Sequence, residues 1–380
     1  PGFEITKSSL RNYTSKTLAN TLGYVSEISK KQLENQEENY YYRSGDYIGQ
    51  SGLEAYYEQE LRGRRGIKFV MQNVYGVNKG SWTSGELDTV AVAGKNLYTG
   101  IDLEVQQYAD SLMVNKVGSV VAIEPKTGQI ICMVSAPTYD PAQLASRDFS
   151  KSYAKLSRDP YKPLFNRPIM ASYRPGSTFK LIQALVALQE GVITPATGFG
   201  HGGSPVKCHG HPYAGSVGSA VQFSCNPYFY FVFRKLLYNN DESNTFKASA
   251  EGLDDWYAYV SKFGIGQRLG IDLPREYKGN LPNSAYYNKI YGKNGWKFSS
   301  IYSLSIGEGE LLITPLKMAN VAAIIANRGY YYTPHLVSGI GEKGIVKPEY
   351  LVKHETGIDP RHFEAIIPGM IGAVERGTVT

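Results

Sequence analysis

The chain has 380 residues, 42% of them apolar and 19% charged, with 40 Gly and 19 Pro. That length predicts two or three domains, and that composition is globular, which excludes a collagen-like or disordered chain. Forty basic residues against 34 acidic ones leave a net charge of +6 spread along the whole length, so no nucleic-acid partner is indicated; Arg62-Gly63-Arg64-Arg65 is only a short local cluster.

No apolar run of about eighteen residues and no secretory signal pattern is present. Starting at Pro1 and ending at Thr380, the sequence reads as a piece of a longer protein, with an anchor expected before it and further sequence after it. Cys132, Cys208 and Cys225 are too few for a disulfide framework; one pair with a free thiol and three reduced thiols both remain open.

The first ninety-odd residues are polar and Tyr-rich. Within them Ser51, with Glu54 in the capping-box position, predicts a helix carrying Leu53, Tyr56, Tyr57 and Leu61 on one face and stopped by Gly63 and Gly66. This is read as a separate, irregular α+β unit over 1–95, with a second unit over 96–380. Asp102 predicts an N-cap for a helix to about Lys116, with Val105, Tyr108, Ala109, Leu112 and Met113 as its apolar face. Two short apolar runs, 119–123 and 129–134, flank a Glu-Pro-Lys-Thr-Gly turn and predict a β-hairpin covered on both faces. The segment 177–190 is apolar almost all round and predicts a buried central helix ended by Gly191. Thr314-Pro315 opens a further helix that runs to Arg328 and is capped by Gly329.

The chemistry concentrates at two loop-to-helix junctions. In Tyr173-Arg-Pro-Gly-Ser-Thr-Phe-Lys180, a Pro-Gly turn places Ser177 in the first turn of the buried helix. There the orphan backbone N–H groups and the helix dipole favour negative charge. A serine hydroxyl needs a base to become a nucleophile, and Lys180, partly desolvated by the apolar helix, suits that role. The alternative is a Ser cap followed by an incidental Lys. At the second junction Ser224-Cys225-Asn226 precedes an aromatic, buried helix. Ser224 could relay a proton from Lys180 to a leaving amine and Asn226 could hold a substrate amide, or either could simply cap the helix.

Together, in this order, the two motifs resemble the serine acyl-transferases that react with penicillin, whose signatures are S-x-x-K, S-x-N and K-[ST]-G. GIDLEVQQYAD and VVAIEPKTGQIICMVSAPTYDP are similar to the entry helix and first hairpin of class B high-molecular-mass penicillin-binding transpeptidases. RPGSTFK and SCNPYFY resemble their first two motifs, and SIGEGELLITPLKMANVAAIIANRG their late active-site helix. LGYVSEIS and GDYIGQSGLEAYYEQELRGRRG resemble the pedestal of the elongation-type branch. The resemblance implies an α+β fold: a serine β-lactamase-like transpeptidase domain with an antiparallel sheet sandwiched by helices, and an irregular N-terminal pedestal.

It further implies D-alanyl-D-alanine transpeptidation of peptidoglycan stem peptides during wall elongation, through an acyl-enzyme on Ser177 that β-lactams would trap. Lys180 is then the base, Ser224 the relay and Asn226 the substrate clamp, with no cofactor or metal in the chemistry. An N-terminal anchor in the cell inner membrane, a periplasmic catalytic domain, and partners among elongation-complex glycosyltransferases of the RodA type and scaffold proteins are implied as well. The alternatives are a carboxypeptidase or β-lactamase on the same fold, and a non-catalytic wall scaffold.

The third motif departs from the family pattern. Lys126-Thr127-Gly128 has its letters but precedes Ser177 and sits in the hairpin turn, so the true K-[ST]-G strand, with its second oxyanion donor, is expected beyond Thr380. This stretch alone is then expected to be a poor catalyst. Cys208, His209, His211 and Cys225 have ligand types that suit Zn²⁺, against a Gly-rich loop with a buried Cys as the plain alternative. Glu308 and Glu310 are read as loop-end carboxylates.

Overall fold

The computed structural model describes residues 11–35, 41–211 and 213–378. The N-terminal part is built from short pieces. Helix α1 (Ala19–Leu22), strand β1 (Val25–Glu27), helix α2 (Lys30–Glu34), strand β2 (Tyr47–Gly49), α3 (Gly52–Tyr56) and α4 (Glu58–Leu61) lead to the hairpin β3 (Val70–Gln72) and β4 (Asn78–Ser81). The expected helix from Ser51 exists but is broken at Tyr57, which has φ −105° and ψ 25°. Ser51 makes no side-chain cap, and the Glu54 carboxylate, the other half of a capping box, accepts from the Arg11 guanidinium at 2.7 Å instead. Tyr57 points inward and donates to the carboxylate of Asp272 at 3.0 Å. Asp272 also accepts from the backbone N–H of Leu336 and Val337, so one buried carboxylate ties the pedestal to the larger unit.

Strand β5 (Leu97–Thr99) leads into α5 (Leu103–Leu112), whose N-cap Asp102 accepts from Glu104 and Val105 as expected. The face that meets the sheet is not the expected one. Val105, Tyr108 and Leu112 are exposed, while Gln106 and Ala109 are buried. Gln106 wins this position because its carboxamide bonds both the N–H and the carbonyl of Met133, like an extra rung on the adjoining strand. The hairpin appears as β6 (Gly118–Ile123) and β7 (Ile130–Ala136), antiparallel, with Val120 opposite Val134.

The helices that follow are α6 (Phe149–Arg158), α7 (Arg167–Met170), α8 (Lys180–Gln189), α9 (Val217–Gln222), α10 (Asn226–Leu237), α11 (Thr245–Ser261), α12 (Ser284–Tyr291), α13 (Phe298–Ile301) and α14 (Pro315–Ala326). Strands β8 (Tyr330–Tyr332), β9 (Val337–Ile340) and β10 (Lys353–Glu355), then α15 (Pro360–Arg376), complete the described chain. Among the described residues the strands form five two-stranded antiparallel ladders; β5 pairs with β9 and β8 with β10.

The core is centred on α8. Its residues from Ile182 to Leu188 are all buried, packed by Tyr228, Phe229, Val232 and Phe233 of α10 and by Trp256 of α11. Each fully buried aliphatic or aromatic side chain contributes roughly 1.5–3 kcal/mol, enough in sum to hold two lysines in the interior. These are Lys180 and Lys317, 2% and 0% exposed. Lys317 is paired with Glu276 at 3.0 Å, and Glu276 also accepts from the N–H of Leu269 and Gly270.

Candidate active site

Ser177 lies in a 3₁₀ turn, Gly176–Phe179, that runs directly into α8. The expected first turn of the helix is therefore tighter than α, and it leaves Ser177 exposed while Phe179 and Lys180 turn into the core. The Ser177 hydroxyl has no hydrogen-bond partner among the described residues. Behind the turn lies the Gly-Glu-Gly-Glu loop. Gly176 N–H donates to the Gly307 carbonyl at 2.9 Å, and Arg174 Nε donates to the Gly309 carbonyl at 2.9 Å. Gly307 has φ +74°, and a Cβ there would lie 2.1 Å from the Gly176 carbonyl oxygen. Only glycine permits that approach. Glu308 flanks the turn beside Arg174, and Glu310 accepts from Tyr287 Oη at 2.7 Å. The bracing role of this loop went unread in the sequence, where its paired glycines were the available signal.

The second motif is positioned by the end of α9. Ser224 N–H donates to Val221 O and Cys225 N–H to Ala220 O, the paired bonds of a Schellman motif with Ser224 in the left-handed position. Its φ is 48°, a conformation that usually selects Gly and that gathers at functional sites when another residue holds it. Helix α10 starts at once with Asn226 and Pro227. Neither Ser224 nor Asn226 caps it, since the N-cap is Cys225 without a side-chain bond. The capping alternative is thus removed.

Lys180 joins the two junctions. Its Nζ donates to Ser224 O at 2.7 Å, Ser224 Oγ at 2.9 Å and Asn226 Oδ1 at 2.6 Å. Burial lowers its pKa from 10.5 to about 8, against an opposing pull from Cys225 and Cys208. Lys180, Ser224 and Asn226 are therefore brought together as one cluster. Ser177 sits one turn before Lys180 and is not bonded to it. The Asn226 carboxamide is also committed on its other side, where Nδ2 donates to Lys207 O at 3.0 Å and lies 3.3 Å from His209 Nε2.

Beside this cluster lies the set of thiols and imidazoles whose fit to Zn²⁺ the sequence left open. His201, Cys208, His211 and Cys225 place one ligand atom each within 4.8 Å of one another. Cys208 Sγ and Cys225 Sγ lie 3.8 and 3.6 Å from His201 Nε2. Two thiols and two imidazoles match a structural Zn²⁺ site, whose tetrahedral edges are roughly 3.3–3.8 Å, so the residues fit after a small contraction. His201 was missed because it lies well before the Cys-His-Gly-His run. His209, one of the four candidates in the sequence, lies outside this set and faces Asn226. All three cysteines are free thiols. Lys126-Thr127-Gly128 lies in the β6–β7 turn with Lys126 exposed, as the sequence reading placed it.

A family model for the penicillin binding protein transpeptidase domain matches residues 118–380, and one for the penicillin-binding protein dimerisation domain matches 1–99. The chain belongs to the penicillin-binding protein transpeptidase family. Peptidoglycan D,D-transpeptidase MrdA of Escherichia coli strain K12 is 31% identical over 99% of this chain. The chain spans 59% of that relative's length. The crystal structure of Pseudomonas aeruginosa PBP2 in complex with WCK 5153 superposes with a TM-score of 0.77 at 28% identity, covering 97% of this chain and 75% of the other. A chain from "Structural coordination of polymerization and crosslinking by a peptidoglycan synthase complex" gives 0.76 at 26% identity, covering 97% and 63%. The penicillin-binding transpeptidase fold expected from the motifs is the fold of this chain. Among the described residues no helix is long and apolar enough to cross a membrane.

Proposed function

We propose that this chain is the larger part of a peptidoglycan D,D-transpeptidase, with Ser177 as nucleophile. The observation that carries the reading is Lys180, buried and held by Ser224 and Asn226 one turn from an exposed Ser177. An ammonium donates all three of these bonds. On losing its proton Lys180 keeps two donors and gains a lone pair, so the Ser224 hydroxyl can reverse and donate to it. Lys180 then takes the Ser177 proton as Oγ attacks the penultimate D-Ala carbonyl. Ser224 returns that proton to the amine of the departing D-alanine as the C–N bond breaks. A neighbouring stem-peptide amine next attacks the acyl carbon, its proton passes back along the same path, and Ser177 regains its hydroxyl.

Asn226 acts here chiefly by fixing Lys180, and to serve as substrate clamp its Nδ2 would exchange Lys207 O for the substrate amide. The Ser177 backbone N–H serves as one oxyanion donor. The second is assigned to a K-[ST]-G strand following Thr380, so these residues alone acylate slowly. One such donor is worth roughly a hundred- to a thousand-fold in rate. When bound, zinc at His201, Cys208, His211 and Cys225 supplies rigidity rather than chemistry, because all four positions are protein ligands. It would clamp Cys225 between the two working residues of the second motif.

The relatives' names and the synthase complex support an enzyme of peptidoglycan crosslinking, and the motif resemblance adds a membrane anchor, a periplasmic catalytic domain and a place in wall elongation. Its partners would be a RodA-type glycosyltransferase and scaffold proteins, and β-lactams its covalent inhibitors. The test is product analysis with stem pentapeptide donor and a stem-peptide amine acceptor, on the chain extended by the residues that follow Thr380. Cross-linked dimer with released D-alanine is the expected result. D-alanine released without dimer would assign a carboxypeptidase, and no D-alanine at all a scaffold.

A further inference from the structure

A cleft of about 470 Å³ opens between the pedestal and the transpeptidase domain, and Ser177 is not part of its wall. Its size falls within the range of small-ligand sites, roughly 300–1,000 Å³. Tyr24 from the pedestal and Tyr153 from α6 stand on one side, their ring centroids 5.9 Å apart. Lys162 and Arg275 stand at the cleft as its cations, and no carboxylate side chain lines it. Both cations are exposed, and neither has an ion-pair partner among the described residues. Both are held at positive φ, 50° and 66°, in a region that non-glycine residues seldom occupy. At the floor Asn166 is 8% exposed. It donates to the Asn20 carbonyl, while its Oδ1 is buried without a hydrogen-bond partner among the described residues.

We propose that this cleft binds an acidic glycan segment, with sugar rings against Tyr24 and Tyr153 and a carboxylate between Lys162 and Arg275. Tyrosine gives an apolar ring face for the C–H side of a pyranose and a polar tip for its hydroxyls. Two cations without an ion-pair partner among the described residues suit a carboxylate through charge-assisted hydrogen bonds. A buried amide oxygen lacking a donor adds an acceptor below the floor for a hydroxyl or a bridging water.

The location gives the site a use. Asn166 is the N-cap of α7, and the chain leaving α7 runs straight into the turn that carries Ser177. A strand held here by its peptide-free muramic acid residues, whose lactyl carboxylates are not tied up as amides, lies beside the segment that presents the nucleophile to stem peptides carried further along the strand. The inference rests on the transpeptidase reading for the identity of the polymer.

The test is calorimetric titration of this chain with a peptide-free tetrasaccharide of alternating N-acetylglucosamine and N-acetylmuramic acid, whose lactyl carboxylates are free. Saturable one-to-one binding is expected, weakened at least tenfold in Lys162→Glu/Arg275→Glu. The N-acetylglucosamine tetramer, which has no carboxylate, should also bind at least tenfold more weakly. Both substituted side chains are exposed, so the unfolding midpoint should be unchanged; Arg275→Ala is the milder variant if it is not. Absence of saturable binding, equal binding by the variants, or tighter binding of uridine monophosphate than of the glycan would each overturn the proposal. Penicillin acylation of Ser177, read on the extended chain, separates the two failures. Lost glycan binding with intact acylation removes this inference alone, and lost acylation with intact glycan binding removes the transpeptidase reading alone.

Discussion

With Ser177 as the proposed nucleophile and Lys180 as its base, the rate of acylation follows the fraction of neutral Lys180, which burial raises. With its pKa lowered from 10.5 to about 8, about 9% of Lys180 is neutral at pH 7, against about 0.03% for an unperturbed lysine. That is roughly a 300-fold gain in free base, about 3 kcal/mol. The second-order acylation constant with a penicillin, measured by stopped flow on the extended chain, should therefore rise about tenfold per unit from pH 6 and level off near pH 8. Lys180→Arg keeps the positive charge but cannot lose its proton, and should lower the constant at least a hundredfold across the whole range. The same shift has a stability consequence with a definite sign. Between pH 8 and 10.5 the unfolded chain binds the Lys180 proton more tightly than the folded one, so stability rises with pH through that window. A flat profile from pH 6 to 10, a rise that begins only above pH 9.5, or an active Lys180→Arg variant would refute the assignment of Lys180 as the base.

Metal analysis of the chain purified with zinc should give one ion per chain. His201→Ala and Cys208→Ser should lose it, and chelation should lower the melting temperature by a few degrees; no uptake and an unchanged melting temperature would remove the site. Lys317→Met leaves Glu276 as an uncompensated buried charge and should cost about 3–5 kcal/mol in urea unfolding, most of it recovered in Lys317→Met/Glu276→Gln. Equal stability of the single and double variants would contradict this pairing. Gly307→Ala forces a methyl to within 2.1 Å of the Gly176 carbonyl. It should lower acylation of Ser177 at least tenfold by displacing the turn, and unchanged acylation would show that the loop does not brace the nucleophile.

Much of this molecule is legible from one sequence because local rules and global packing agree. Asp102 caps its helix, the hairpin forms around its Pro- and Gly-containing turn, and the all-apolar stretch after Ser177 becomes the central helix. The two junction motifs meet in the fold, since Lys180 buried in that helix had to find polar partners in Ser224 and Asn226. What failed to show in the sequence depends on contacts distant along the chain. Glu54 left the capping box for Arg11. The buried side of α5 is set by a carboxamide bonded to Met133 rather than by its apolar residues. Gly307 is required by Gly176, far away in sequence. His201 belongs with Cys225 only because the loop between them folds back. Periodicity and capping rules see none of these, because each is a tertiary choice between partners of similar chemistry.

The central claim is that Ser177 forms the acyl-enzyme. It is tested most directly by intact mass after incubation with a penicillin, using this chain, the chain extended beyond Thr380, and the extended chain carrying Ser177→Ala. One drug-sized adduct on the extended chain, slower on this chain and absent in Ser177→Ala, is the predicted result. A folded extended chain that takes no adduct, or a Ser177→Ala variant that still takes one, would contradict it.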